Sequence, residues 1–259
     1  IRDRYDNMNA FFRTNGYDEV FSQENYPADK VVNSFGVQDD FLYDYAIPVL
    51  NQRAATGQPF FATLLSISNH PPYVIPPFFH PKTSEPETQI VEYADWALRQ
   101  FFEEARKQPW FDNTIFVLEG DHGKLVGDAE CELPESYNHI PLMIYSSRIQ
   151  PEEKTAFGGQ VDIQPTILGL LNIDYLQNNF GVDLLKEERP CMFYTADNMV
   201  VGRNDTLLYL YNYETQQELT YDIGNGKLNA VPMDDSFLPL KEYSFSMLQS
   251  AEFLAVSYT

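Results

Sequence analysis

Two apolar runs, PFFATLLSIS over residues 59–68 and TIFVLEG over residues 114–120, constrain this 259-residue chain more than any other feature. Each is shorter than an ordinary interior helix and nearly continuous in apolar side chains. That is the composition of a strand buried on both faces of a parallel sheet. Such a sheet needs helices on both faces, and the neighbouring segments carry helical periods. Phe41, Tyr45 and Val49 mark a helix over residues 37–50. Ile90, Ala94, Ala97, Leu98, Phe101, Phe102 and Ala105 mark a longer one, closed by Pro109. PLMIYSS reads as a third strand. VDIQPTILGLLNID reads as a helix with Asp162 as cap and Pro165 near its first turn. RDRYDNMNAFFRTNGYDEVF reads as a helix already under way at Ile1, so further polypeptide is expected before it.

After Arg189 the pattern changes. CMFYTA, TLLYLYNYE and ELTYDIG read as strands, and the short polar TQQ between the last two signals a hairpin. A helix is expected from about Leu238 to Val256. The fold class is therefore α/β: a largely parallel central sheet flanked by helices, with a C-terminal antiparallel hairpin and terminal helix. No repeat or long linker divides the chain. Residues 1–190 are expected to form the α/β domain, and residues 191–259 a β-rich subdomain plus helix packed on it.

Charge narrows the partners. With 17 basic against 38 acidic residues the net charge is −21, which repels phosphate backbones, so nucleic acid is excluded as a partner. No apolar run approaches the roughly 18 residues of a membrane-spanning helix, and no signal peptide opens the sequence. Cys131 and Cys191 lack CxxC spacing, which excludes a zinc knuckle or thioredoxin-like motif; one disulfide and two free thiols both remain open, with two thiols the preferred reading.

Residues just past a buried strand lie at the carboxyl edge of an open α/β sheet, where such folds place their reactive groups. The second run ends in Gly120, Asp121, His122 and Gly123. A carboxylate and an imidazole side by side on a glycine-framed turn form half of a mixed O/N metal shell. A capping Asp beside a hydrogen-bonded His is the plain alternative. The first run ends in Asn69 and His70 before Pro71 and Pro72 turn the chain away. Asn69 there can donate a hydrogen bond, and His70 can hold a phosphoryl oxygen or protonate a leaving group. His139 precedes the third strand and ranks lower, and His80 reads as surface.

Taken together, TIFVLEGDHG, PFFATLLSISNHPPY, YNHIPLMIY, VDIQPTILGLL and NNFGVDLLKEERP resemble the sulfatase-like phosphoglycerol transferases. These are the lipoteichoic-acid synthase group of the alkaline phosphatase superfamily, and the likeness covers most of Tyr5 to Pro190. The resemblance implies the extracytoplasmic domain of a bacterial membrane protein, periplasmic or cell-surface, anchored through an N-terminal transmembrane region outside this sequence. It implies a divalent ion held by Asp121 and His122, manganese first, with zinc, magnesium or calcium as alternatives. His70, with Asn69, would lie in the substrate pocket, and the substrate would be a phospholipid headgroup or glycan. The family's chemistry is two-step transfer through a threonine phosphoester, and its nucleophile and an acidic ligand fall upstream of YDNMNAFFRTNGYD. No catalytic nucleophile is therefore expected among these residues, and the chain by itself is expected to be inactive.

Where some members carry an arginine for the headgroup phosphate, this sequence has Met8, within a YDNM stretch like the FDNM of other members. A sulfatase is the nearest rival. Its signature, Cys or Ser followed by x-P-x-R, is absent, and Ser84-Glu85-Pro86-Glu87-Thr88 lacks the arginine. A non-catalytic binding or structural module with the same fold is the third reading.

Overall fold

The computed structural model describes residues 7–125 and 128–257. The start of the expected N-terminal helix, residues 2–6, lies outside them. Two compact units emerge, one of residues 1–116 and 144–149, the other of residues 117–143 and 150–259.

The first unit contains helix α1 (Met8–Thr14), strands β1 (Val31–Asn33) and β2 (Gly36–Val37), and helices α2 (Asp39–Ala54) and α3 (Pro86–Ala105). The α1 helix stops early because Asn15 and Gly16 leave helical geometry, Gly16 at φ 94°. The apolar stripe of α3 packs against α2 as its period requires. Ala46 and Leu50 meet Phe101 and Ala105, and Trp110 and Phe111 close the cluster. Pro86 sits in the first turn of α3, where its missing N–H costs nothing.

PFFATLLSIS departs from expectation. It forms no ladder, and Phe60, Phe61, Leu64 and Leu65 are exposed, Phe61 at 79%. An apolar run encodes burial but not a partner, and among the described residues no strand pairs with this one. Instead, Tyr17 Oη lies 2.6 Å from Thr63 Oγ1, and the Tyr17 and Phe61 rings are 5.7 Å apart. Only Ile67 and Ser68, at its end, are buried.

Strands β3 (Phe116–Glu119) and β4 (Leu142–Tyr145) pair with each other, and the division between units falls within both. Both were expected to be buried on two faces. Instead, β3 alternates half-buried and exposed residues and β4 is exposed except at Ile144, since a two-stranded ladder leaves open edges.

The second unit carries helix α4 (Ile163–Leu170) and a five-stranded antiparallel sheet in chain order. Its strands are β5 (Met192–Ala196), β6 (Met199–Arg203), β7 (Leu207–Asn212), β8 (Gln217–Asp222) and β9 (Asn229–Ala230), and helix α5 (Leu238–Ser257) follows. The expected β7–β8 hairpin is the centre of this larger sheet. Sequence reading missed β6, its most buried strand. The turn Asp197-Asn198, at φ 46° and 63°, is the two-residue left-handed type that matches strand twist. Period-two alternation then fills both faces. Met199, Val201, Leu208 and Leu210 pack with Leu133. On the opposite face Tyr209 packs with Phe237 and Leu240. Gly202 lets α5 approach, because a Cβ there would lie 2.5 Å from Ser244 Oγ. Cys131 and Cys191 are free thiols, and no described helix is long and apolar enough to cross a membrane.

Candidate functional site

Asn69 and His70 belong to the first unit, and Asp121 and His122 to the second. Each pair is held by residues of its own unit.

The Asn69-His70 loop is fixed from the start of α2. Asp39, 2% exposed, accepts the N–H groups of Ile67 and Ser68 on Oδ1 at 3.1 and 3.0 Å. Ser68 Oγ accepts the Asp39 N–H at 3.0 Å and donates to Gln38 Oε1 at 2.8 Å. Gln38 Nε2 donates to Val74 O on the far side of the loop, at 2.6 Å. The His70 N–H closes a turn onto Ile67 O, and its ring lies against Phe35, tilted by 36°, with centroids 3.9 Å apart. Nδ1 lies 2.7 Å from Pro71 O. A carbonyl only accepts, so Nδ1 carries the proton and Nε2 is left to the exterior.

Burial raises the Asp39 carboxyl above 3.8, outweighing the hydrogen bonds from Ser68 and Ile67. A carboxyl whose folded pKa is raised contributes its full stability below the unfolded value and loses it as pH rises through the folded value. Asp39→Asn keeps an oxygen for both N–H groups. It is expected to flatten the stability profile as pH rises from about 4, the ordinary aspartate value, through the raised folded value. Asp39→Ala strands both donors and is expected to cost about 1–3 kcal/mol. Urea unfolding across that range measures both, and an unchanged slope in Asp39→Asn would refute the assignment.

Asp121 and His122 follow β3 directly, with side chains about three-quarters exposed. The His122 N–H donates to Asp121 Oδ1 at 2.9 Å. His122 Nδ1 lies 2.8 Å from Gly123 O, so this nitrogen too is the protonated one. The Nε2 lone pair then remains available, 3.8 Å from Asp121 Oδ2. Gly120 and Gly123 were expected to permit a tight turn. Neither has positive φ, and the requirement at Gly123 is close approach. A Cβ there would stand 1.9 Å from Ser136 O, while the Gly123 N–H donates to Tyr137 O at 2.8 Å. Glu119, just before the pair, has its carboxyl raised by burial and then by Asp121.

Asp162 stands at the N-cap position of α4, as the sequence suggests, but its carboxylate makes no capping bond to that helix. It is fully buried and accepts the Gly159 and Val182 N–H groups at 2.9 and 2.8 Å. Arg189 Nε forks onto both its oxygens at 3.0 and 2.9 Å. Residues far apart in sequence meet at this carboxylate, so periodicity alone could not mark its role. Gln38, Asp39, Ser68 and Gln160 were missed for the same reason.

The pattern of the sulfatase family matches residues 3–173. Lipoteichoic acid synthase 1 of Bacillus subtilis is 26% identical over 243 residues, covering 85% of this chain and 36% of that protein. The chain thus spans about a third of that relative's length. A protein in the alkaline phosphatase superfamily from Vibrio parahaemolyticus superposes with TM-score 0.85 at 26% identity, over 99% of this chain and 64% of that one. The lipoteichoic acid synthase LtaP from Listeria monocytogenes shares the fold, with TM-score 0.80 at 22% identity, over 98% of this chain and 68% of that one. The chain belongs to the sulfatase family of the alkaline phosphatase superfamily, in its lipoteichoic acid synthase-like branch.

Proposed function

We propose that this chain is part of a metal-dependent phosphoryl-group transferase or hydrolase, of phosphoglycerol type, acting outside the cytoplasm on a lipid or glycan substrate. The observation that carries the reading is the exposed Asp121 carboxylate beside a His122 imidazole whose Nδ1 is tied to Gly123 O, leaving Nε2 free to ligate. One hard oxygen and one imidazole nitrogen fit a divalent ion, manganese first and zinc, magnesium or calcium after it. Among the described residues no third His, Cys, Asp or Glu joins them, so the remaining ligands must come from elsewhere in the protein. A divalent ion so held supplies Lewis-acid polarisation of a phosphoryl oxygen and lowers the pKa of a bound hydroxyl.

Within the chain, Asp121 and His122 would set the position of that charge. The Asn69 amide would donate to a substrate oxygen. His70, with its ring doubly protonated and Nδ1–H held on Pro71 O, would give its Nε2 proton to the departing lipid alcohol as its P–O bond breaks. The attacking threonine, placed by resemblance in polypeptide outside these residues, would form the new P–O bond, and an acceptor hydroxyl or water would displace it. Membrane attachment is assigned to the same outside region. A sulfuryl substrate is the second reading, favoured by the match to the sulfatase family over residues 3–173.

Calorimetric titration of the intact protein with manganese tests the metal assignment. Saturable binding in the parent, lost in Asp121→Ala, is expected. Equal binding in both would remove Asp121 from the ligand set.

A further inference from the structure

Asp121 and His122 sit on a loop whose own bonds fix only its ends. The Gly120 N–H donates to Pro141 O at 3.4 Å, and the Gly123 N–H to Tyr137 O at 2.8 Å. Between them runs the peptide joining Asp121 to His122. Its N–H donates to Asp121 Oδ1, so rotating that peptide would swing the carboxylate and the imidazole together.

One side chain from another element holds the carbonyl side of this segment. Gln160 Nε2 donates to Gly120 O at 3.2 Å and to Asp121 O at 3.0 Å. Both partners are acceptors only, so the amide must present its nitrogen, and its two N–H groups match the two carbonyls. Gln160 is itself anchored. It opens the short 3₁₀ turn Gln160–Asp162, in which the Asp162 N–H donates to Gly159 O at 2.9 Å and the Gly159 N–H returns to Asp162 Oδ2 at 2.9 Å. The fork from Arg189 fixes that carboxylate in turn. A buried ion pair therefore braces the turn that carries Gln160, and the Gln160 side chain holds the peptide between the two proposed ligands. All of these residues lie in the second unit.

We infer that Gln160 is a positioning residue that sets the Asp121–His122 peptide, and with it the two ligand side chains, for a divalent cation. The inference rests on the metal reading proposed above for Asp121 and His122. Gln160 makes its two hydrogen bonds to backbone carbonyls and not to either side chain. It acts through the backbone between them, as residues behind a metal ligand do when they fix its orientation, and loss of such a partner typically weakens metal affinity about 10- to 100-fold.

The test uses Gln160→Met, which keeps the length of the side chain and removes both donors, in the intact protein. Gln160→Asn, one methylene short of the carbonyls, is the second variant and is expected to behave alike. Two readouts are taken: amide hydrogen exchange over residues 120–123, and manganese affinity by calorimetry. Exchange at these amides is expected to accelerate about tenfold or more while β6 keeps its protection. Manganese affinity is expected to fall about tenfold, with the melting temperature nearly unchanged. Unchanged exchange over residues 120–123 overturns the inference whatever the metal does. Accelerated exchange with undiminished affinity also overturns it, because the loop would then move without consequence for the cation. Accelerated exchange in a protein whose parent takes up no manganese defeats the metal reading instead and leaves the hold of Gln160 on the loop standing.

Discussion

Asp162→Ala is expected to destabilise the protein by about 3–5 kcal/mol, read as a large fall in the urea midpoint. The carboxylate is 0% exposed. It accepts the Gly159 and Val182 N–H groups, and Arg189 Nη2 approaches Oδ1 to 2.5 Å. Removing it leaves a guanidinium whose side chain is 11% exposed without its counter-ion, and two N–H donors without acceptors. The guanidinium also donates to Phe180 O, so its displacement would loosen the segment that leads into β5. Asp162→Asn keeps one carbonyl oxygen and is expected to lose less. Replacing Asp162 and Arg189 together by apolar residues is expected to recover part of the loss, since the unpaired buried charge is the larger penalty. A cost for Asp162→Ala within the roughly 0.5 kcal/mol of an ordinary surface change would be incompatible with this account.

The second large effect concerns turnover of the intact protein. Asp121→Ala and His122→Ala are each expected to lower it by about 10³-fold or more. This corresponds to the several kcal/mol of charge stabilisation that a metal site supplies, at about 1.4 kcal/mol per tenfold. Both side chains are largely exposed and join no core cluster, so the fold is expected to survive. His70→Ala is expected to behave differently, with a fall in rate and manganese affinity intact. Bis-nitrophenyl phosphate and nitrophenyl sulfate are suitable paired probes, because turnover of only the second would replace the phosphoryl reading by the sulfuryl one. Retained turnover in Asp121→Ala would dispose of its role as a ligand, and lost manganese binding in His70→Ala would move His70 into the ligand set.

Much of the architecture is legible without coordinates. The stripe from Ile90 to Ala105 is a helix that buries that face, and its 3.6-residue period depends on nothing beyond itself. The hairpin around TQQ and the terminal helix from Leu238 are local signals of the same kind. The family likeness is also carried by short ordered motifs, and the match over residues 3–173 agrees with it. Residue types suited to metal and phosphoryl chemistry stand out in GDHG and SNHPP because they directly follow apolar runs, where open α/β sheets place their reactive groups.

What the sequence alone determined is therefore the local periods, the fold class and the candidate pairs Asn69-His70 and Asp121-His122. Tertiary structure decided which apolar run finds a ladder: PFFATLLSIS does not, and Met199–Arg203 does, because a strand exists only through its neighbour. It also decided that the Asp162 carboxylate, at the N-cap position of α4, binds Arg189 across 27 residues of sequence instead of the helix N–H groups, and that Gln160 reaches Gly120 and Asp121 across 40 and 39. Periodicity reports the environment of a side chain over one or two turns. Hydrogen bonds between distant segments depend on where the whole chain brings them, and that is fixed only when the core has packed.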